Sequence, residues 1–181
     1  YAGAHGLSND LGIVLDAASE LVAQPEITLV LVGDGKEKPR LQEQAAARRL
    51  TNLVFAPPVN KNLMPEVLAA ADACIAILKP IDLYKTTYPN KVFDYMAAGR
   101  PVVLAIDGVI REVVEAARAG IAVQPGDAHA MAQAIRTLAA DRQGSLQMGQ
   151  AGRRCIEEKY NRAAVAEKLV LLLEEMEKMH A

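Results

Sequence analysis

Residues Thr86 to Val103 read TTYPNKVFDYMAAGRPVV, and this stretch gathers groups able to hold an anion. A helix is predicted from about Pro89 to Ala98, ended by Gly99 and Pro101. Its first-turn amides, those of Asn90, Lys91 and Val92, lack intrahelical partners and lie at the positive end of the helix dipole. A diphosphate would be held there, with Lys91 adding a full charge. Asp94 follows Asn90 by four residues and shares its helix face, one turn deeper. Two readings of that carboxylate stay open. It accepts hydrogen bonds from two ribose hydroxyls, or it complements the helix dipole and faces water.

Two further loops follow predicted strands. Gly3-Ala4-His5-Gly6 leads into a helix, and its glycines either let backbone amides approach a ligand or form a tight turn with an exposed histidine. Gly33-Asp34-Gly35 closes the second strand. Neither loop carries the full G-x-G-x-x-G fingerprint, which disfavours a nicotinamide or flavin cofactor. Cys74 and Cys155 have no metal or redox spacing between them and read as reduced core residues of a cytosolic protein.

The elements that must position these loops alternate between short β-branched runs and longer helical stretches. A truncated strand ends in YAGAHG, and a helix over about Asn9 to Ala23 follows, with Ser8, Asn9 and Asp10 as capping candidates. ITLVLVGDG is the second strand; a charged helix runs from about Lys36 to Leu50, then the strand NLVFA and the loop PPVNKN. MPEVLAAAD is a short helix and Ala73 to Leu78 a buried strand. After the helix of the opening stretch come the strand PVVLAI, the helix VIREVVEAARAG, a sixth strand IAVQ, and helix from Asp127 onward. The near-continuous apolar strands predict coverage on both faces. The fold expected is α/β: a doubly wound, parallel, six-stranded Rossmann-like sheet with helices on both faces. Ligands of such sheets sit at the carboxyl ends of the strands.

With 181 residues, about half of them apolar, the chain can build one domain with a real core. A net charge of -2, 4% aromatics and no Trp make nucleic acid an unexpected partner. No apolar run is long enough to cross a bilayer, and no signal peptide is expected. The chain starts with Tyr1-Ala2-Gly3 and reads as a fragment, residues 1–181 forming a single domain cut from a longer protein.

The order YAGAHG, LVLVGDGKEK, NLVFAPPV, LMPEVLAAAD, PNKVFDYMAAGRPVV and AGIAVQPGD resembles the C-terminal, donor-binding domain of group-1 (family four) retaining glycosyltransferases with the GT-B fold. It is most similar to the bacterial amino-sugar transferase subgroup of surface-polysaccharide assembly. The resemblance implies a nucleoside-diphosphate-sugar substrate, preferably UDP-linked, no metal and no cofactor. No DxD motif is present, in agreement. The second Glu of the family's E-x7-E motif, which holds the ribose, falls on Asp94, and the first, on the donor-sugar side, falls on Thr86 with Thr87 beside it. The diphosphate amides fall on Asn90 and Lys91, the nucleobase loop on Pro57, Pro58 and Val59, and His5 in the cleft-facing loop on the donor-sugar or acceptor side. Expected partners are the chain's own N-terminal domain and a glycan or lipid-linked acceptor, at a cytoplasmic location, including the inner face of the membrane.

The sequence departs from the family at several of these positions. Asp94 shortens the reach of a Glu, and Thr86 offers only a hydroxyl. The family's Arg and Lys after the first strand are missing from Ala4-His5-Gly6-Leu7-Ser8-Asn9, leaving Lys91 with Lys85 or Arg100 to meet the diphosphate. The alternatives are a noncatalytic nucleotide-sugar-binding or scaffold module and a GT-B sugar-nucleotide epimerase. His129 and His180 read as surface residues. A C-terminal helix over 161–181 has an apolar face through Val165, Leu169, Leu172 and Met176, and its acidic face (Glu167, Glu174, Glu175, Glu177) suits packing on the core or the missing domain better than anionic lipid.

Overall fold

The computed structural model describes residues 1–161, 166–167, 169–173 and 175–176. Within residues 1–161, strands β1 (Leu29–Val32), β2 (Leu53–Ala56), β3 (Cys74–Ile77), β4 (Val102–Ala105) and β5 (Gly120–Ala122) alternate with seven helices. These are α1 (Leu11–Leu21), α2 (Lys38–Ala47), α3 (Met64–Ala69), α4 (Asn90–Ala97), α5 (Val109–Ala117), α6 (Ala128–Ala140) and α7 (Arg142–Lys159). All pairing is parallel, with Leu29 opposite Leu53, Cys74 opposite Val102 and Val102 opposite Gly120. Strands β3 and β4 are buried at every position, as apolar runs covered on both faces must be. Alternation sends Leu31, Ile75, Ile77 and Val103 into one cluster with α1 and α6. Val32, Ala76, Val102 and Leu104 enter a second cluster with Val92, Tyr95 and Met96 of α4 and Ile110 and Val114 of α5.

The strand count differs from the expected six. Among the described residues five strands form, in a two-stranded sheet β1-β2 and a three-stranded sheet β3-β4-β5. The first strand is reduced to one bridge between Ala2 and Val32. Gly3 turns the chain at φ +144° directly after Ala2. The N–H and C=O of Ala2 point away from Val32 and meet a side chain instead of β3. The buried Tyr95 hydroxyl accepts from the Ala2 N–H at 3.0 Å and donates to the Ala2 carbonyl at 3.0 Å. Packing joins the sheets here, since Ala2 and Val32 share an apolar cluster with Cys74 and Ala76. Tyr95→Phe strands two buried main-chain groups and is expected to cost about 2–4 kcal/mol, read as a lowered urea midpoint with unchanged slope.

Helix α1 begins at Leu11, after a 3-10 turn over Leu7–Asn9, and none of the predicted capping side chains caps it. Asp10 instead adopts the left-handed conformation at φ 44°, which Asp tolerates. Helix α4 ends as predicted: Gly99 takes φ +68° and the Arg100 N–H returns to the Tyr95 carbonyl at 3.1 Å. Residues 166–167, 169–173 and 175–176 are helical. Leu169 and Leu172 are 58% and 56% exposed, so this part does not cover the core. Val165, Glu174, Glu177 and His180 lie outside the described residues.

Candidate functional site

Parallel strands deliver their following loops to one edge of the sheet, and there the three glycine-bearing or helix-opening segments meet. The two glycine-bearing loops meet through main chain. The His5 N–H donates to Asp34 O at 2.8 Å and the Glu37 N–H to His5 O at 3.0 Å. A Cβ on Gly33 would sit 2.0 Å from Gly3 O, and one on Gly35 2.5 Å from His5 O. The glycines therefore serve a close crossing of two loops. The amides of Gly3, Gly33 and Gly35 are spent on Val32 O, Ala56 O and the Asp34 carboxylate, so they cannot approach a ligand as expected. Among the described residues only Gly6 of the four keeps an unpaired amide.

The start of α4 closes on the first loop through Lys91. Its ammonium donates to Tyr1 Oη and Asn9 Oδ1, each at 2.9 Å, and stands 4.3 Å from the Tyr1 ring centroid. Both acceptors are neutral, and Lys91 makes no ion pair among the described residues. Burial pushes its pKa down to about 8. Among the described residues the Asn90 and Lys91 amides have no partner, as expected of the first two helical positions. Val92 does not: its N–H donates to Pro89 O at 3.0 Å, and its side chain is fully buried. Asp94 is exposed on the helix face of Asn90, one turn on.

Thr86 is exposed, at the end of the 3-10 turn Asp82–Thr86, and its hydroxyl donates to Leu83 O at 3.0 Å. The Thr87 hydroxyl donates to Tyr84 O at 2.8 Å. This turn is tied to the first loop by a 2.8 Å bond from the Tyr84 hydroxyl to Ser8 Oγ, and Lys79 N–H donates to Ser8 O at 3.0 Å. Pro57 and Pro58 are exposed after β2, while Val59 packs on the second apolar cluster. A cavity of about 100 Å³ lies beyond β3 and β4, lined by Lys79, Tyr84, Lys85 and Asp107. A larger one of about 310 Å³ opens beside Gly6 between α1 and α2. Asn90, Lys91 and Asp94 line neither of them; Asn90 and Asp94 are exposed and Lys91 is half-buried.

Three expectations change. His5 is 0% exposed, with its ring between those of Tyr1 and Phe55 at centroid distances of 6.1 and 6.3 Å. It offers no surface to a donor sugar or acceptor, and burial holds its pKa below the ordinary value. Arg100 precedes β4, at the opposite edge of the sheet, and bonds the Ala69 carbonyl, so it is too far round to meet a diphosphate on α4. Lys85 is on the correct edge but pairs with Asp82 at 2.8 Å. Sequence reasoning missed Tyr1 and Asn9. The available signal was the loop's lack of cations beside a helix-start lysine, which leaves that lysine in need of neutral partners.

The parallel strands, the helices on both faces and the loops gathered at one edge define a Rossmann-like α/β domain. The family profile of the group 1 glycosyl transferases matches residues 1–141, and the chain belongs to that family. It is 30% identical over 142 residues to the D-inositol 3-phosphate glycosyltransferase of Geodermatophilus obscurus, covering 72% of this chain and 30% of that one. The chain spans 26% and 30% of the length of the curated relatives it matches. Among solved structures it superposes on Anabaena HepE in complex with UDP with a TM-score of 0.83 and 21% identity, covering 96% of this chain and 48% of that one. The C-terminal domain of the group 1 glycosyl transferase LpcC from Francisella tularensis gives a TM-score of 0.76 at 18% identity, covering 90% and 84%. The α/β fold is that of a GT-B glycosyltransferase domain. No described helix is long and apolar enough to cross a membrane.

Proposed function

We propose that this chain is the donor-binding half of a retaining glycosyltransferase, gripping the diphosphate of a UDP-linked, N-acetylated sugar destined for a cell-surface glycan. One observation carries the reading. Lys91 is a partly desolvated cation with no carboxylate partner among the described residues, placed beside the two unpaired amides of α4. A diphosphate supplies the missing negative charge and accepts from both amides. UDP bound to HepE, a protein of the same fold, supports the choice of nucleotide. As the glycosidic bond breaks, charge grows on the leaving diphosphate, and fixed donors stabilise it without reorganising. In this reading Lys91 and the α4 amides meet that charge, with no metal or cofactor among the parts. Thr86 and Thr87 lie toward the donor sugar, Pro57, Pro58 and Val59 toward the base, and the N-terminal domain and a glycan or lipid-linked acceptor complete the site at the cytoplasmic side.

Asp94 holds the ribose in this proposal. Asp94→Ala is expected to weaken UDP binding roughly 10- to 100-fold, the effect of losing hydrogen bonds to a charged acceptor. The test is calorimetric titration of the chain with UDP, GDP, ADP and NAD, followed by amide shifts. Selective shifts at Asn90, Lys91 and Asp94 with UDP support the reading. Unchanged UDP affinity in Asp94→Ala sinks the ribose assignment, and silence toward every nucleotide sinks the donor site in this chain.

A further inference from the structure

Lys91 is held by a closed ring of hydrogen bonds. Its ammonium donates to Tyr1 Oη and to Asn9 Oδ1, both at 2.9 Å. Those two residues in turn donate to one carbonyl: Tyr1 OH to Ala4 O at 2.7 Å, and Asn9 Nδ2 to Ala4 O at 2.9 Å. The ring fixes the orientation of the Asn9 amide, since its nitrogen must face a carbonyl and its oxygen an ammonium. It also fixes the phenol, whose proton goes to Ala4 and whose lone pair faces Lys91. Beneath the ammonium lies the Tyr1 ring face, a further neutral, electron-rich surface. Gly3 completes the cage by omission, because a Cβ there would lie 3.3 Å from Lys91 Nζ and 3.3 Å from Tyr1 Oη.

Each wall of the cage is an uncharged oxygen or a ring face. Two of the three ammonium N–H groups are committed to the protein, and the third has no partner among the described residues. A lysine stem free to rotate would lose much of its rotamer entropy when it met a ligand; here that ordering precedes binding. An acidic residue in the place of Asn9 would order the stem equally well but cancel its charge. A carboxamide orders it and leaves the charge for an anion.

We propose that Asn9 and Tyr1 are positioning residues that aim Lys91 at the donor diphosphate, and that the neutrality of position 9 sets the strength of anion binding. This rests on the reading that Lys91 meets the diphosphate. The test compares Asn9→Asp, Asn9→Ala, Tyr1→Phe and Lys91→Met by titration with UDP and with uridine, which lacks phosphate. Asn9→Asp is expected to weaken UDP binding at least tenfold, Asn9→Ala and Tyr1→Phe about threefold each, and none of these to change uridine affinity. A merely structural loss at the loop would move uridine and UDP together.

The Lys91 side chain gives a second readout through the pH at which its Cε shift titrates. The other titratable groups facing it are the Tyr1 phenol, pushed up by burial, and the His5 imidazole, held low by burial. Asn9→Asp is expected to raise the Lys91 titration by a unit or more, toward the range of an ion-paired lysine. Wild-type UDP affinity in Asn9→Asp, or an unmoved Lys91 titration, overturns the cage. If Lys91→Met itself binds UDP normally, the diphosphate reading fails first and the cage with it. If Lys91→Met loses UDP while Asn9→Asp keeps it, only the cage fails.

Discussion

Lys91→Met is expected to weaken UDP binding roughly 10- to 100-fold, because it removes a charge-assisted hydrogen bond worth about 1.5–3 kcal/mol and keeps the buried stem. Stability is expected not to fall, since the variant no longer desolvates a cation. The pH dependence follows from the same site. Burial pushes Lys91 down to about 8 in the free protein, and a bound diphosphate favours the charged form and raises it again. Binding therefore takes up a proton, and UDP affinity is expected to decline above pH 8 by up to about tenfold per unit. Folding has the opposite sign. The folded pKa lies below the ordinary 10.5, so the unfolded chain holds more protons between about 8 and 10.5. The cost of burying charged Lys91 is full below that window and is relieved as pH rises through it. Calorimetry from pH 7 to 9.5 on wild type and Lys91→Met checks both signs; equal slopes in the two proteins would exclude Lys91 as the titrating group.

Gly33→Ala is expected to destabilise the chain by roughly 3 kcal/mol or more, combining left-handed backbone strain with an overpacked contact. Gly33 has φ +140°, and the added Cβ would lie 2.0 Å from a carbonyl oxygen, which cannot swing aside as a side-chain tip can. The affected carbonyl belongs to Gly3, between Tyr1 and the Ala4 carbonyl that anchors the lysine cage. UDP binding should therefore be lost with the fold. A urea midpoint within error of wild type would mean that the two loops do not cross as closely as described.

Much of this was legible in the sequence, for physical reasons that are local. Pro89 before Asn90 and Gly99 after Ala98 bracket α4 to within a residue, because each acts on the backbone at its own position. The apolar runs of β3 and β4 announce burial on both faces. What escaped depends on partners far away in the chain. Asn9 looks like a helix cap until Lys91, 82 residues later, is seen to occupy its oxygen. His5 reads as a loop histidine because nothing nearby says that Phe55 and the Gly33 crossing will enclose it. The missing first strand is a matter of one hydroxyl, since Tyr95 satisfies Ala2 where a ladder was expected. Val92 lost its free amide to a tighter first turn that no residue type there dictates.

Tyr95 and Lys91 stand one turn apart on α4. One rivets the first strand where the two sheets meet, and the other is the cation proposed to meet the donor diphosphate. The helix is thus a common axle: the seam between sheets and the proposed grip on a nucleotide turn on the same short rod. A ligand that steadies its front end steadies the joint behind it, so nucleotide should protect the Ala2 and Tyr95 amides from hydrogen exchange without touching them.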